Sequence, residues 1–260
     1  MLSHLQYPGQ PALPARSVVP LHPVQCASCR LRTLCLPTGL TDASLRKLAP
    51  ALTSRRVYKD EALYKMDDPF RSVYAIRFGH FKTFQVSANG EEQITGLHMA
   101  GDLLGIDGLC NDRHRCYAVA LEDSEVCEFP YASLESLFVQ IPPLLRQFHR
   151  LISEEMSREQ ANMLVLGNLS ADQRFASFLL DLSRRYGARG YSSTSFYLRM
   201  SREDIANYLG LTIESISRII GRMRARGLVN VTHRNVELLD VPALATLAFR
   251  DGRAQADAVH

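Results

Sequence analysis

The stretch from Ser201 to Arg226 constrains this chain more than any other. Ser201-Arg202-Glu203-Asp204 opens a helix, because serine is a strong N-cap and acids in a first turn complement the helix dipole. The helix continues through Ile205, Ala206, Tyr208 and Leu209; Gly210 breaks it, and Thr212 caps a second helix. Two short helices joined by a glycine-containing turn predict a helix-turn-helix. In the second helix Ile213, Ile216, Ile220 and Met223 recur at helical spacing and predict a buried stripe. The other face carries Glu214, Ser217, Arg218 and Arg222. A glutamate can accept from the cytosine N4 amine, and an arginine can donate to guanine O6 and N7 in a major groove. Arg222, Arg224 and Arg226 continue toward the helix C-terminus, where they suit phosphates. Beyond them, Leu228–Thr232 and Val236–Leu239 flank His233-Arg234-Asn235 and predict a hairpin wing.

Composition alone does not reveal this. The whole chain has 30 basic and 27 acidic side chains, a net charge of +3, which is too mild to mark a nucleic-acid binder. From Arg199 to Arg234, however, seven arginines face three acids. The basic patch is local, and it points to double-stranded DNA as a partner.

The rest of the 260 residues divides by composition and period. Residues 1–25 hold five prolines and few packing residues, and read as an extended arm. Residues 26–140 begin with a cysteine loop and a short helix capped by Thr41. Runs such as Val73-Tyr74-Ala75-Ile76 and Phe81-Lys82-Thr83-Phe84 follow, separated by turn signals, with Asn89-Gly90 predicting a type I′ hairpin turn. That pattern predicts an antiparallel sandwich or barrel. After Pro142-Pro143, residues 144–167 predict one long helix within a 142–168 segment. Residues 169–247 hold a second amphipathic helix and the helix-turn-helix, and 248–260 read as a polar tail. The fold class is α+β.

The long helix carries Ile152, Met156, position 159, Met163 and Leu166 at alternating spacings of four and three, a coiled-coil seam. Position 159 is Glu159. A carboxylate in a two-helix seam faces its symmetry mate, so the predicted homodimer is weaker than an all-apolar one. Such an interface can be biased by a distant ligand.

The six cysteines pose a separate question. The chain opens Met1-Leu2-Ser3-His4-Leu5-Gln6-Tyr7-Pro8, without a basic start or a long apolar run, and no stretch of ~18 apolar residues predicts a membrane span. A cytoplasmic chain with reduced thiols is the expectation. Cys26-x-x-Cys29-x5-Cys35 gathers three soft ligands suited to zinc or an iron–sulfur group. A fourth would come from Cys110, Cys116 or Cys127, and spacing alone does not choose. No glycine-rich phosphate loop, His-Glu metal motif or catalytic triad is evident, so an enzyme is not expected. His98 reads as a packed strand residue.

Taken together, the chain resembles the CRP/FNR family of bacterial transcription regulators, and most closely the FNR (fumarate and nitrate reduction) and Anr-like branch. The matching residues are Ser72–Arg77, Glu91–Gly96, Ala100-Gly101-Asp102-Leu103, Leu182-Ser183-Arg184-Arg185, Asn207–Thr212 and Glu214-x-x-Ser217-Arg218, and the resemblance spans about 26–247. It implies a β-roll or jelly-roll sensor domain, a dimerisation helix and a winged helix-turn-helix. It further implies one 4Fe–4S cluster per subunit, on Cys26, Cys29, Cys35 and, through Val126-Cys127-Glu128-Phe129-Pro130, Cys127. The same resemblance assigns DNA reading to Glu214, Ser217 and Arg218 at a TTGAT-type palindrome, with RNA polymerase as a further partner. Oxygen would degrade the cluster and release the DNA. Arg30, in the loop after Cys29, departs from the pattern. Two rivals remain: a zinc-stabilised protein without sensing, and a cyclic-nucleotide reader in which Gly101-Asp102 holds the ribose and Arg115-Cys116 the phosphate.

Overall fold

The computed structural model describes residues 26–249; the arm expected at 1–25 and nearly all of the tail expected at 248–260 lie outside the described residues. Two four-stranded antiparallel sheets form the N-terminal domain. In the first, β1 (Thr53–Val57), β8 (Ser124–Pro130), β3 (Ser72–Phe78) and β6 (Leu103–Leu104) lie side by side in that order. In the second the order is β2 (Ala62–Tyr64), β7 (Tyr117–Ala120), β4 (His80–Val86) and β5 (Glu92–Met99).

Strand β3 is buried on both faces, which explains its unbroken apolar run. Tyr74 and Ile76 turn inward, into a barrel core with Phe81, Leu104 and Val126. Val73 and Ala75 turn outward. There they pack under α1 (Asp42–Leu48), α2 (Tyr131–Gln140) and the start of α3 (Pro142–Asn168), through Leu48, Leu134, Leu144 and Phe148. Thr41 caps α1 by accepting from the Ser44 N–H, as expected. Pro142 and Pro143 sit in the first turn of α3, where a missing N–H does no harm.

The C-terminal domain comprises α4 (Ala171–Ala188), β9 (Ser195–Tyr197), α5 (Arg202–Tyr208), α6 (Ile213–Ala225), the strands β10 (Val229–Thr232) and β11 (Asn235–Leu238), and α7 (Val241–Ala248). Its core joins Phe175 and Leu179 of α4 to Ile205, Ile216 and Leu244. Phe84, Ile94, Leu97 and Met99 of the sensor sheets belong to that same cluster, so apolar packing runs across the boundary between the domains.

Several local expectations change. Asn89 does not take a positive φ, whereas Gly90 does (83°), so the β4–β5 connection is not a type I′ turn. Val86 pairs with Glu92, and a five-residue loop closed by the Ser87 N–H to Glu91 O bond bridges them. In α6 the buried stripe is Ile216, Ile219, Ile220 and Met223; Ile213, in the first turn beyond the edge of the core, is 43% exposed. Helices α2 and α7 and strand β9 were not foreseen. β9 is a three-residue strand that exists only by pairing with β11, and such elements carry little periodicity.

Candidate functional site

Cys26, Cys29 and Cys35 sit on a chain of tight turns. The Cys29 N–H donates to Cys26 O, Arg32 N–H to Cys29 O, and Cys35 N–H to Leu31 O. Buried Leu36 anchors the segment, and the Thr38 hydroxyl donates within the loop to Cys35 O at 2.6 Å. Cys127 comes from β8, the strand between β1 and β3, opposite Ser54 on one side and Ala75 on the other. All four cysteines line one small concavity, with Arg77 and Arg32 among its other walls. Cys110 and Cys116 do not: Cys110 is exposed, and Cys116 lies in the barrel core with its thiol against Asp107 Oδ2 at 3.4 Å.

Burial above all, together with neighbouring cysteines and against Arg77, raises the Cys26 thiol to about 11 and Cys127 to about 12. Cys35 is raised further still, by burial and then by Cys127. The sulfurs lie close enough that a charge on one disfavours a charge on its neighbours. Among the described residues no three His, Cys, Asp or Glu side chains are arranged to hold a metal ion. A tetrahedral zinc site would need four thiolates at ~2.3 Å from one point. The donor set, four soft thiolates with no hard oxygen ligand, nonetheless suits either a tetrahedral zinc or a sulfur-ligated iron group.

The barrel interior does not offer the nucleotide site that its sequence allowed. Asp102 turns away from Arg115: its carboxylate accepts from the Met99 N–H at 2.9 Å, Arg185 at 2.7 Å and Arg189 at 2.7 Å. Asp107, not Asp102, meets the Arg115-Cys116 segment, accepting from the Arg115 N–H at 2.7 Å. Tyr64 stacks on His114 with ring centroids 3.7 Å apart, and both are buried beside Cys116. These side chains occupy the interior, and the proposed pairing of Gly101-Asp102 with Arg115-Cys116 is not present.

In the C-terminal domain Ser201 and Asp204 form a reciprocal capping box at the start of α5. Gly210 takes φ +61, the left-handed conformation that the tight turn into α6 requires. Thr212 caps α6 by accepting from the Ser215 N–H. Glu214, Ser217, Arg218 and Arg222 are all exposed and lie at helical spacing on one face. Its own backbone N–H and the Thr212 hydroxyl lower the Glu214 carboxyl, so it is a ready anionic acceptor. Arg222 is already engaged: it grips Asp172 of α4 with two bonds. Arg224 donates to Val231 O of the wing, whose tip, His233, has φ +55.

The seam residues of α3 divide. Ile152 is half-buried against the cysteine-loop core and Leu166 is half-buried as well. Met156 and Met163 are 54% and 65% exposed, and Glu159 is exposed between them. Partial burial and the neighbouring Glu155 raise the Glu159 carboxyl.

Sequence reasoning missed the residues that join the two domains. Asn207, at the end of α5, accepts from the Ile94 N–H at 2.7 Å and donates to Glu92 O at 2.7 Å. Lys82 of β4 pairs with Asp204 at 2.6 Å. Arg185 is buried on α4, and an arginine on an apolar helix face was the available signal for it.

Two family models match the chain: a cyclic nucleotide-binding domain over residues 54–140 and a Crp-like helix-turn-helix domain over 173–247. The transcriptional regulatory protein btr of Bordetella pertussis is 44% identical over 232 residues, 88% of this chain and 96% of that protein. The fumarate and nitrate reduction regulatory protein of Salmonella typhimurium is 40% identical over 226 residues, covering 86% and 90%. The structure of FixK2 from Bradyrhizobium japonicum superposes with a TM-score of 0.69 at 30% identity, covering 75% of this chain and 96% of that one. With a sensor roll, a long helix and a helix-turn-helix in this order, and with relatives that are regulators rather than enzymes, the chain belongs to the CRP/FNR family of transcription regulators, close to its FNR and Anr members.

Proposed function

We propose that this chain is an oxygen-responsive regulator of anaerobic gene expression, acting in the cytoplasm as a homodimer and contacting RNA polymerase on DNA. The observation that carries the reading is that four of the six cysteines, three in one loop and the fourth about ninety residues away, line one cavity. Cys26, Cys29, Cys35 and Cys127 would hold one 4Fe–4S cluster per subunit. Such a cluster supplies an oxygen-labile cross-link between the loop and β8. The thiols must lose their protons to ligate, and Arg77 at the cavity wall favours that charge.

The loop is tied to the dimer helix as well, since Gln147 of α3 donates to Cys35 O at 3.4 Å. Ligation would therefore fix the start of α3, and the exposed Met156, Glu159 and Met163 stripe would pair with a second copy, with Ile152 and Leu166 at its ends. The reading face would place Glu214, Ser217 and Arg218 on a TTGAT-type half-site and Arg222 on the flanking backbone. The printed names of relatives support anaerobic control: one is a fumarate and nitrate reduction regulator and another an anaerobic regulatory protein.

Protein purified without oxygen should be brown, with visible absorption that bleaches in air. Footprints on a TTGAT-type palindrome should appear before exposure and fade after it. Colourless protein with one zinc per chain and an air-stable footprint would reject the sensing function.

A further inference from the structure

The short turn Gly101-Asp102 touches both halves of the molecule. On one side it is bonded to β3: the Gly101 N–H donates to Ile76 O at 2.8 Å, and the Ile76 N–H donates to Asp102 O at 3.0 Å. Ile76 is a wall of the cysteine cavity, and its neighbour Ala75 pairs with Cys127. The cysteine loop reaches the same turn directly. A Cβ placed on Gly101 would lie 3.2 Å from Leu34 Cβ, and Leu34 immediately precedes Cys35.

On the other side the turn holds the C-terminal domain. Arg185 of α4 and Arg189, the C-cap residue one turn on, each donate to the Asp102 carboxylate at 2.7 Å. Arg185 also donates to Leu97 O at 2.8 Å and Arg189 to Ala100 O at 2.6 Å. Arg158 of the dimer helix lies 3.5 Å from the same carboxylate. One buried acid thus gathers an arginine from α3, one from α4 and the C-cap residue of α4. Helix α4 in turn carries α6, through the shared core of Phe175, Ile216 and Ile220 and through Asp172–Arg222.

Neighbouring contacts between the domains do not have this reach. Lys82–Asp204 and the Asn207 bonds join the β4–β5 hairpin to α5, and none of these residues lines the cysteine cavity or is hydrogen-bonded to one that does, as Gly101 and Asp102 are to Ile76.

We propose that Asp102 is the positioning residue of the DNA-reading head, carrying the state of the cysteine loop to α4 and hence to α6. This inference rests on the cysteine-loop sensing proposed above. A change at Leu34 or Ile76 shifts the Gly101-Asp102 backbone, and the arginines follow the carboxylate because it is their common buried partner. Two discrete arrangements of one ion-pair cluster are enough for a switch of ordinary size.

The test compares the parent with Asp102→Asn and Leu34→Gly. The first removes the charge at nearly constant shape. The second removes the Cβ that approaches Gly101 and leaves the buried arginines paired, so it serves if Asp102→Asn folds poorly. Each protein is loaded anaerobically with ferrous iron and sulfide, or left unloaded, and titrated with a TTGAT-type palindrome by fluorescence anisotropy. Iron content is measured in every sample. In the parent the two states should differ in affinity by roughly tenfold or more, and in both variants the ratio should fall to about twofold or less, with iron content unchanged. A variant that was merely less stable would lose affinity in both states and keep the ratio. A second readout needs neither iron nor DNA: hydrogen exchange at the Ala100–Leu103 amides and at the C-terminal end of α4 should rise in unloaded Asp102→Asn. Variants that bind iron and keep the parental ratio overturn the proposal. A parent with equal affinity in both states overturns the sensing function itself, and this inference with it.

Discussion

Arg222 and Asp172 are paired before any DNA arrives. The guanidinium donates from Nε at 3.1 Å and from Nη2 at 2.7 Å to the two carboxylate oxygens, joining the reading helix to the start of α4. Both groups remain substantially open to solvent. An exposed pair of this kind stabilises by ~0.2–1 kcal/mol, so Arg222 can exchange a carboxylate for a phosphate at small cost. Asp172→Asn should therefore tighten DNA binding by roughly two- to fivefold, by freeing Arg222 and removing a repelling charge. Anisotropy titrations at two salt concentrations would check this; unchanged affinity would mean that the freed Arg222 makes no contact with the DNA.

Arg218 stands exposed on the same face with Glu214 one turn before it. Arg218→Ala should weaken binding to the palindrome by ~1–3 kcal/mol and relax discrimination at one base pair, with little effect on non-specific DNA. Competition with single-base variants of the half-site would reveal which pair it reads. A uniform loss across all sequences would instead assign Arg218 to the phosphate backbone.

Cysteine substitutions should divide by location. Cys127→Ser should abolish the brown colour of anaerobic protein, because one wall of the cavity loses its sulfur. Cys110→Ser should keep the colour, since that thiol is exposed and does not line the cavity. Iron analysis alongside the absorption spectrum would settle the assignment.

Glu159 lies exposed between Met156 and Met163. Removing its charge should strengthen the pairing of α3 with a second copy. In air, Glu159→Ala should sediment more as a dimer than the parent at equal concentration. If the two sediment alike, Glu159 does not restrain the interface.

Acid should loosen the junction between the domains in two stages. Burial lowers the pKa of His98, whose Nε2 lies 3.1 Å from the Thr83 hydroxyl and whose Nδ1 has no partner. The native state therefore resists a proton that the unfolded chain accepts below ~6.5, and stability falls as pH drops from there toward the depressed native value. Asp102 follows at lower pH. Burial alone would raise its carboxyl, but Arg185, Arg158 and Arg189 hold it well below the usual range. Its stabilisation is present above ~3.9 and is lost as pH falls toward the native value. Melting curves from pH 7 to 5 should show a drop that His98→Gln reduces.

The helix-turn-helix was legible because its signals are local. Ser201, Gly210 and Thr212 each act within a few residues, and the structure has a cap, a left-handed turn and a cap at those positions. The inner edge of α6 was less legible: periodicity offered Ile213 as readily as Ile219, and only the limit of the core separates them. The cysteine trio announced itself by spacing, but nothing local distinguished Cys127 from Cys110 or Cys116. That choice depends on the register of β8 between β1 and β3, a long-range property that resemblance supplied and periodicity could not. Asp102 is the clearest miss. The rival nucleotide reading made it a ribose ligand, whereas its arginine partners are Arg158 of α3 and Arg185 and Arg189 at the end of α4, 56 to 87 residues away.

The cysteine cavity has walls of unequal stiffness. Cys127 belongs to a strand laddered on both sides, so moving it would tear two sets of backbone bonds. Its three companions ride on a segment of short turns pinned by a few side chains such as Thr38 and Gln147. Whatever enters or leaves the cavity, the displacement falls on the compliant wall. Strand β8 serves as the fixed jamb and residues 26–39 as the door, so the segment that carries Leu34 against Gly101 takes up most of the displacement.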